Sequence, residues 1–220
     1  MSDAFWEQPD VVEGFAERAP DHRLVALAGE YADPASTRVL DLGCAGGRNT
    51  IFLAGQGFDI WAMDASAAMV ERTRARLGAL LGPRAATERV LLGRMDDLSA
   101  VDDAWFNLVV ALGVYHNART LGEWDAAVAE TTRVLKPGGR VLVNHFTPEV
   151  DLTGKGVRPV IGLPDVYEGL HGGPAVLLSA SDLDAAMARH GLLPEVPSQT
   201  VSVETEPGRR VSVNALYRKH

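Results

Sequence analysis

Short apolar runs alternate with stretches of helical periodicity through the middle of the chain. Five of the runs are typical of buried strands, and they occupy residues 38–42, 58–63, 89–92, 106–112 and 140–146. The segments between them repeat apolar residues every three or four positions, which indicates amphipathic helices. An alternation of this kind builds a parallel sheet with helices on both faces. The sequence therefore predicts an α/β fold with a doubly wound sheet.

The composition is that of a globular protein, and it narrows the possible functions. Of the 220 residues, 46% are hydrophobic and 23% are charged, and the net charge is −8. This sign disfavours a nucleic-acid partner, because binding to a phosphate backbone depends on clustered cations. The single cysteine, Cys44, excludes an intramolecular disulfide and a thiolate zinc cluster. We find no signal peptide and no membrane span, so we expect a cytoplasmic protein.

The chain divides into four parts within one predicted domain, residues 1–220. These parts are a helical N-terminal segment, the strand–helix core, a connection rich in Gly and Pro, and a C-terminal helix with strands, at residues 1–37, 38–146, 147–178 and 179–220. A connection as long as the third part is uncommon and usually functional. Ser66 is predicted to cap a helix of the core, and Ser181 to cap the C-terminal helix.

A glycine-rich turn follows the first predicted strand, in the sequence Asp41-Leu-Gly-Cys-Ala-Gly-Gly47. In a doubly wound sheet, ligands bind beyond the carboxyl ends of the strands, and glycines there let a ligand approach the backbone. The dinucleotide pattern GxGxxG fails, because Ala45 and Arg48 occupy its second and third glycine positions. The Gly-Lys-Ser/Thr sequence of a phosphate loop does not occur either. The acid at Asp41 would repel a pyrophosphate and suits a cationic ligand.

Three stretches together resemble the class I S-adenosylmethionine-dependent methyltransferases of the broad bacterial small-molecule type. The turn 41–47 looks like the first motif of that family, and Asp64 looks like its ribose-binding acid. Leu135-Lys-Pro-Gly-Gly-Arg-Val-Leu142 is similar to the turn before its fifth strand. The resemblance implies a Rossmann-like sheet of about seven strands, mostly parallel with an antiparallel C-terminal strand. It also implies methyl transfer from S-adenosyl-L-methionine, with S-adenosyl-L-homocysteine as the product.

The resemblance further implies which residues contact the cofactor. Asp41 would favour its ammonium group, directly or through water, and Asp64 would accept hydrogen bonds from the ribose hydroxyls. Ala45 replaces the central glycine of the family, which costs little where its φ is negative. Arg94 replaces the acid that usually contacts the adenine amine, so Met95 and Asp96 are expected to take over. The predicted cofactor-binding residues are Asp41, Gly43, Cys44, Ala45, Gly46, Asp64, Ala65, Met95, Asp96 and Ala111.

Two histidines follow strands at the edge of the sheet where this kind of fold carries its chemistry. His116 comes after the fourth predicted strand and His145 ends the fifth, so each is a candidate general base. Tyr115 is a candidate to orient a base or to form an aromatic wall. The alternative for both histidines is a structural role with hydrogen bonds inside the fold. His171 could join them, but three histidines from separate loops do not predict a metal site.

The parts that flank the core are expected to cover the acceptor, as they commonly do in the family that the chain resembles. Residues 1–37 would form a helical lid with Trp6, and residues 147–178 a substrate-side insertion with Tyr167 and His171. The alternative for Trp6 is that it staples the first helix to the core.

The sequence does not identify the acceptor, although it excludes some classes. No Asn-Pro-Pro-aromatic sequence occurs, which argues against adenine and glutamine-amide acceptors. We expect a small-molecule acceptor, no nucleic-acid or membrane partner, and a monomer or homodimer. Two other functions compete. The failed GxGxxG pattern disfavours a nicotinamide-dependent oxidoreductase, and Arg94 leaves open a non-catalytic module that binds S-adenosylmethionine.

Overall fold

The computed structural model describes residues 4–170 and 172–220. The α-helices in these ranges are α1 (Pro9–Ala16), α2 (His22–Ala28), α3 (Arg48–Gly55), α4 (Ala67–Leu81), α5 (Pro83–Arg89), α6 (Leu121–Val134) and α7 (Ala180–Ala188). The strands are β1 (Arg38–Leu42), β2 (Asp59–Asp64), β3 (Val90–Leu92), β4 (Phe106–Leu112), β5 (Leu135–Phe146), β6 (Arg158–Pro159), β7 (Val166–Glu168), β8 (Ala175–Val176), β9 (Leu192–Pro194), β10 (Gln199–Thr205) and β11 (Gly208–Lys219). Short 3-10 helices cover Pro34–Ser36 and Tyr115–Asn117. No described helix has both the length and the apolar character needed to cross a membrane.

The main sheet has eight strands in the order β10-β11-β5-β4-β1-β2-β3, with β9 paired to β11. The pairs from β5 through β4, β1 and β2 to β3 are parallel, and β11 is antiparallel to β5, β9 and β10. This confirms the predicted fold class, with β11 as the antiparallel C-terminal strand, to which β9 and β10 pair. From β1 the chain adds β2 and β3 on one side, and then β4 and β5 on the other side of β1. The strand order therefore reverses between β1 and β4. In such sheets a crevice opens at this point, beyond the carboxyl ends of the strands.

Alternate residues of each strand face opposite layers of helices, as the period of two requires. In β1, Leu40 packs into the apolar cluster that contains Trp124 of α6, whereas Val39 packs into the cluster that contains Leu53 of α3. Both clusters consist of buried residues from strands and helices. Helices therefore cover both faces of the sheet, as predicted.

The helix caps agree with the sequence in one case and differ in another. The Ser66 hydroxyl accepts a hydrogen bond from the Met69 amide and begins α4, as predicted. The prediction that Ser181 caps the C-terminal helix is wrong, because Ser179 has the extended backbone of a cap and accepts from the Asp182 amide. Ser181 lies inside the first turn of α7.

Two features escaped the sequence analysis because they are too short to show a period. Helix α5 follows directly after α4, and strands β6, β7 and β8 form a separate three-stranded antiparallel sheet within residues 147–178. An apolar cluster of Val150, Ala175 and Leu177 lies under this segment. The described residues of the Gly- and Pro-rich connection therefore form a layer with its own small core.

Candidate functional site

A cavity lies beyond the carboxyl ends of β1, β2, β3 and β4, at the reversal of strand order. Its walls come from the turn after β1, the ends of β2 and β3, the segment after β4, and the N-terminal segment. Seven of the predicted cofactor-binding residues line it: Gly43, Cys44, Ala45, Asp64, Ala65, Met95 and Asp96. The structure thus brings together residues that are far apart in the sequence.

The turn after β1 has the backbone conformation of a glycine turn even where glycine is missing. Gly43 has a φ of 71°, and a Cβ at this position would lie 2.8 Å from the Val114 side chain. Ala45 also lies in the left-handed region, with a φ of 48°. The condition of a negative φ, under which alanine could replace the family's glycine at little cost, is therefore not met. The Thr73 hydroxyl donates to the Ala45 carbonyl at 2.7 Å, and this bond helps to hold the unusual conformation.

Gly46 makes room for a helix and does not line the cavity. A Cβ on Gly46 would lie 2.6 Å from Cβ of Ala16 and 2.7 Å from its backbone nitrogen, at the end of α1. The Gly46 carbonyl accepts a hydrogen bond from Arg76 at 2.6 Å. Gly46 therefore faces α1 and not the cavity, and its contact with the cofactor stays a prediction.

Asp64 stands at the end of β2 with its carboxylate fixed by the backbone on both sides. One oxygen accepts from the Ala45 amide at 2.8 Å, and the other accepts from the Ser66 amide at 2.9 Å. Each carboxylate oxygen has a second lone pair, so both can accept one more hydrogen bond. Burial raises the pKa of Asp64, while the backbone amides act in the opposite direction. The side chain is rigidly held and lines the cavity.

Asp41 lies behind the turn and is not part of the cavity wall. It is 2% exposed and accepts a hydrogen bond from the Thr50 hydroxyl at 2.6 Å. Burial raises the pKa of Asp41 to about 6, and the nearby Asp64 adds to this effect, whereas the Thr50 hydrogen bond and the positive charge of Arg48 oppose it. Direct contact with the ammonium group of a ligand is therefore not available to Asp41 in this arrangement.

Cys44 is a buried residue of the turn that lines the cavity. Burial raises the pKa of its thiol well above the usual value, and the carboxylates of Asp64 and Asp41 act in the same direction. The thiol is therefore protonated and unreactive at neutral pH. This agrees with the role of a small apolar wall residue.

The end of the cavity beyond β3 contains an ion-pair network. Arg94 donates to both oxygens of Asp96, at 2.9 and 3.0 Å, and also pairs with Glu123 at the start of α6. The Arg119 amide donates to Glu123 at 2.7 Å. Arg94 thus occupies the position of the missing acid and holds the Asp96 carboxylate that was expected to replace it.

The N-terminal segment is attached to the start of α4 next to Asp64. The Ser66 hydroxyl donates to the Trp6 carbonyl at 3.1 Å, and the Glu7 carboxylate accepts from the Ala67 and Ala68 amides at 3.1 Å each. A carboxylate at this position is favoured by the amides at the helix N-terminus. Trp6 lines the cavity and makes an edge contact with Phe15, at 5.7 Å between ring centroids.

The three candidate catalytic side chains lie in the core behind the cavity wall. Tyr115 and His145 are 0% exposed, and His116 is 5% exposed. The Tyr115 hydroxyl bonds to Thr131 at 2.7 Å, and the two histidine rings lie 5.8 Å apart. These side chains do converge, but none of them lines the cavity, and neither does the buried Ala111.

The predicted acceptor residues have different positions. Trp6 lines the cavity, whereas Tyr167 packs against the apolar cluster under residues 147–178. His171 lies outside the described residues. Within the described ranges, no group of three or more His, Cys, Asp or Glu side chains is arranged to hold a metal ion.

Several cavity residues were missed by the sequence analysis. They come from neighbouring turns and helices, and include Phe15, Arg48, Asn49, Arg119 and Glu123. Arg48 and Asn49 could have been suspected, because they directly follow the glycine turn as the first residues of α3. Phe15, Arg119 and Glu123 carry no motif, and the packing of α1 and α6 brings them to the cavity.

Comparison with known proteins agrees with this geometry. Residues 39–139 match the sequence model of the methyltransferase domain family. A search of curated proteins gives no match.

Solved structures with the same fold include enzymes of different activities. The 1,6-didemethyltoxoflavin-N1-methyltransferase of Burkholderia thailandensis, with 1,6-didemethyltoxoflavin and S-adenosylhomocysteine bound, is 21% identical, with a TM-score of 0.66 over 97% of this chain and 80% of that one. The CcbJ methyltransferase of Streptomyces caelestis is 21% identical, with a TM-score of 0.67 over 99% and 98%. The [4+2]-cyclase SpnF is 18% identical, with a TM-score of 0.66 over 100% and 88%.

The matched residues contain the glycine turn, Asp64 and the segment that forms the far wall of the cavity. Residues 39–139 therefore match the methyltransferase domain family, and the described chain has the fold of these S-adenosylmethionine-dependent methyltransferase structures.

Proposed function

We propose that this protein transfers a methyl group from S-adenosyl-L-methionine to a small-molecule acceptor, and that the cavity beyond β1 to β4 binds the cofactor. The observation that carries the proposal is the Asp64 carboxylate, which is fixed by the Ala45 and Ser66 amides and lines the cavity. A carboxylate held in this way can accept hydrogen bonds from two ribose hydroxyls at once.

The rest of the cavity fits such a cofactor. Gly43 and Ala45 present their backbone to the cavity without a bulky side chain, so a ligand can lie against the turn. Met95 and Asp96 lie beyond β3, where an adenine ring would contact the Met95 backbone, and Trp6 covers the side next to Asp64. We assign Asp41 an indirect role, in which it stabilises the turn through Thr50.

When bound, the cofactor supplies a methyl group that is already activated by the positive charge of its sulfonium. The residues of this chain then have to align the acceptor with that methyl group and exclude water. Trp6 and the Glu7 contacts at α4 close one side of the cavity, which supports this role.

The small-molecule acceptor is supported by charge and by comparison. The net charge of −8 does not suit a nucleic-acid substrate, and a solved neighbour of the same fold has the small molecule 1,6-didemethyltoxoflavin bound. The SpnF cyclase has this fold as well, so the fold alone does not establish methyl transfer. Cofactor binding and methyl transfer therefore need separate tests.

The first experiment is calorimetric titration of the purified protein with S-adenosylmethionine, S-adenosylhomocysteine and NAD. We expect the two sulfur compounds to bind and NAD not to bind. Binding of NAD alone would instead support the nicotinamide-dependent oxidoreductase. Transfer of a radiolabelled methyl group to members of an acceptor panel then separates an enzyme from a non-catalytic binding module.

A further inference from the structure

Three polar side chains meet in the core behind the cavity wall. His116 lies in the 3-10 helix after β4, His145 near the end of β5, and Trp124 in α6. The rings of His116 and His145 are 5.8 Å apart, and those of His145 and Trp124 are 6.2 Å apart. We call these three residues the imidazole cluster.

Four nitrogen atoms of the imidazole cluster lack a hydrogen-bond partner of good geometry among the described residues. They are Nδ1 of His116, both ring nitrogens of His145 and Nε1 of Trp124. An unsatisfied buried polar group costs about 1–3 kcal/mol, and folded proteins keep few of them. The neighbouring Tyr115 shows that this layer can satisfy a polar group, because its hydroxyl bonds to Thr131. The concentration of unsatisfied nitrogens at one place points to a ligand that satisfies them.

Only backbone separates the imidazole cluster from the cavity. Gly113 lines the cavity, and a Cβ at Gly113 would have a single neighbour within 4 Å, which is Cε1 of His116 at 3.8 Å. The edge of the imidazole therefore faces the cavity wall at a position without a side chain.

On its other side, the cluster is covered by the segment 147–178. Phe146 stacks on His116 at 4.1 Å and packs against the apolar cluster under this segment. Two backbone hydrogen bonds hold the end of the segment in place, from the Val176 amide to the Ala118 carbonyl and from the Leu178 amide to the Phe146 carbonyl. Val166, Val176 and Leu178 of this segment are also buried in the apolar cluster that contains Trp124, so the cover opens only by local unfolding.

We propose that the imidazole cluster is the acceptor-binding site, closed in this structure by Phe146 and the segment 147–178, and that it binds an uncharged acceptor with a flat apolar body and an O–H or N–H group. This proposal rests on the proposed function, since an acceptor site has meaning only beside a methyl donor.

The chemistry of the cluster selects this class of acceptor. Burial lowers the pKa of His116 to about 3, and burial together with His116 lowers the pKa of His145 well below its usual value, while a hydrogen bond to the Val176 backbone acts in the opposite direction. Both rings are therefore neutral at physiological pH, and each offers one bare nitrogen that accepts a hydrogen bond. No described carboxylate contributes to either shift, so a cationic acceptor would find no counter-charge. The aromatic rings of Phe146 and Trp124 suit a flat body.

The test uses phenol as a probe of this class. Toluene is the matched compound without a hydrogen-bond donor, and benzylammonium is the matched compound with a positive charge. Histidine Cε1–H signals are followed by NMR in the full chain saturated with S-adenosylhomocysteine. We expect phenol to shift the signals of His116 and His145 and to leave His22 and His190 unchanged. Toluene and benzylammonium should bind at least about tenfold more weakly, as expected for a lost hydrogen bond or an unpaired charge. Equal binding of the three compounds, or no shift with phenol, would overturn the proposal.

Variants separate a binding role from a structural one. His145→Leu removes two unsatisfied nitrogens with little change in volume, so we expect an equal or higher Tm together with loss of phenol binding. A purely structural histidine predicts the opposite, a lower Tm with phenol binding retained, and this result would overturn the proposal. Trp124→Phe, which removes Nε1 together with part of the indole ring, provides a second variant if the first does not fold. The control is His22→Asn, at an exposed position of α2.

Failure of this inference can be told apart from failure of the proposed function. Calorimetry with S-adenosylhomocysteine reports on the cavity alone. If that compound binds and the imidazole signals do not respond to phenol, only the acceptor site is wrong. If it does not bind, the proposed function fails first.

Discussion

The backbone amide of Ala45 donates a hydrogen bond to Asp64 at 2.8 Å, across 19 positions of the sequence. This bond joins the turn after β1 to the end of β2, and it fixes the orientation of the carboxylate that lines the cavity. The same contact holds an alanine in a left-handed conformation. The geometry of the turn and the position of the acid are therefore coupled.

Asp64→Asn tests the role of the carboxylate. The amide has one oxygen and so can accept from only one of the Ala45 and Ser66 amides, and it loses the charge. We expect the affinity for S-adenosylhomocysteine to fall by about 1.5–3 kcal/mol, or about tenfold to a hundredfold, as calorimetry would show. Asp102→Asn changes an exposed acid outside the cavity and serves as the control. Equal affinity of the two variants would contradict the assignment.

Gly46→Ala tests the contact between the turn and α1. The new Cβ would lie 2.6 Å from Cβ of Ala16, so we expect a loss of about 1–3 kcal/mol in the free energy of unfolding. The matched variant is Gly14→Ala in α1, where nothing lies within 4 Å of the added Cβ. There alanine should stabilise the helix by about 0.5–1 kcal/mol. Urea denaturation measures the free energy of unfolding of both variants. Changes of the same sign in the two would contradict the close contact between Gly46 and Ala16.

Two substitutions at Ala45 test the backbone strain. A left-handed conformation costs a residue with a Cβ about 1–2 kcal/mol, whereas a glycine raises the entropy of the unfolded chain by about 0.4–1 kcal/mol. Ala45→Gly should therefore change the free energy of unfolding by no more than about 1 kcal/mol. Ala45→Val should destabilise by about 1–3 kcal/mol, because a β-branched residue tolerates this region poorly. Equal Tm values for the Ala45→Val and Ala45→Gly variants in thermal unfolding would contradict a strained turn.

The buried Asp41 predicts a dependence of stability on pH. Its pKa is raised from 3.8 to about 6, so its contribution to stability is fully present below about pH 4 and is lost as the pH rises through 6. The loss amounts to about 3 kcal/mol. Asp41→Asn keeps an oxygen that can accept from Thr50 and removes the titration. As the pH rises from 4 to 8, the free energy of unfolding of the Asp41→Asn variant should therefore increase relative to that of the wild type. A difference that does not vary with pH would contradict the burial of this charge.

Much of the fold was accessible from the sequence because it depends on local patterns. Runs such as 38–42 and 106–112 are apolar enough to fix buried strands, and Ser66 stands where a helix cap is needed. The short strands β6 to β8 have two or three residues each and show no period, so only tertiary packing reveals them.

The position of a site residue was predictable where that residue ends a strand. It was less predictable where packing decides which way the side chain points. Asp64 ends β2 and lines the cavity. His145 shares the face of Val141 and Val143, which packs under Trp124, and the alternation along β5 could have indicated its burial. Gly46 and Ala45 could not have been assigned, because the approach of Ala16 and the sign of φ depend on how α1 and α4 pack on the turn.

The cover over the imidazole cluster is tied down at both ends. Near its start, Asp151 and Arg209 exchange two backbone hydrogen bonds, at 2.8 and 2.7 Å, and near its end the Val176 and Leu178 amides are bonded to the core. A segment held in this way opens by local unfolding and not by swinging on a hinge. If the imidazole cluster binds the acceptor as proposed, the opening rate of this segment sets a ceiling on how often an acceptor can reach the histidines, and deuterium exchange of the Val176 and Leu178 amides measures that rate under conditions where each opening leads to exchange.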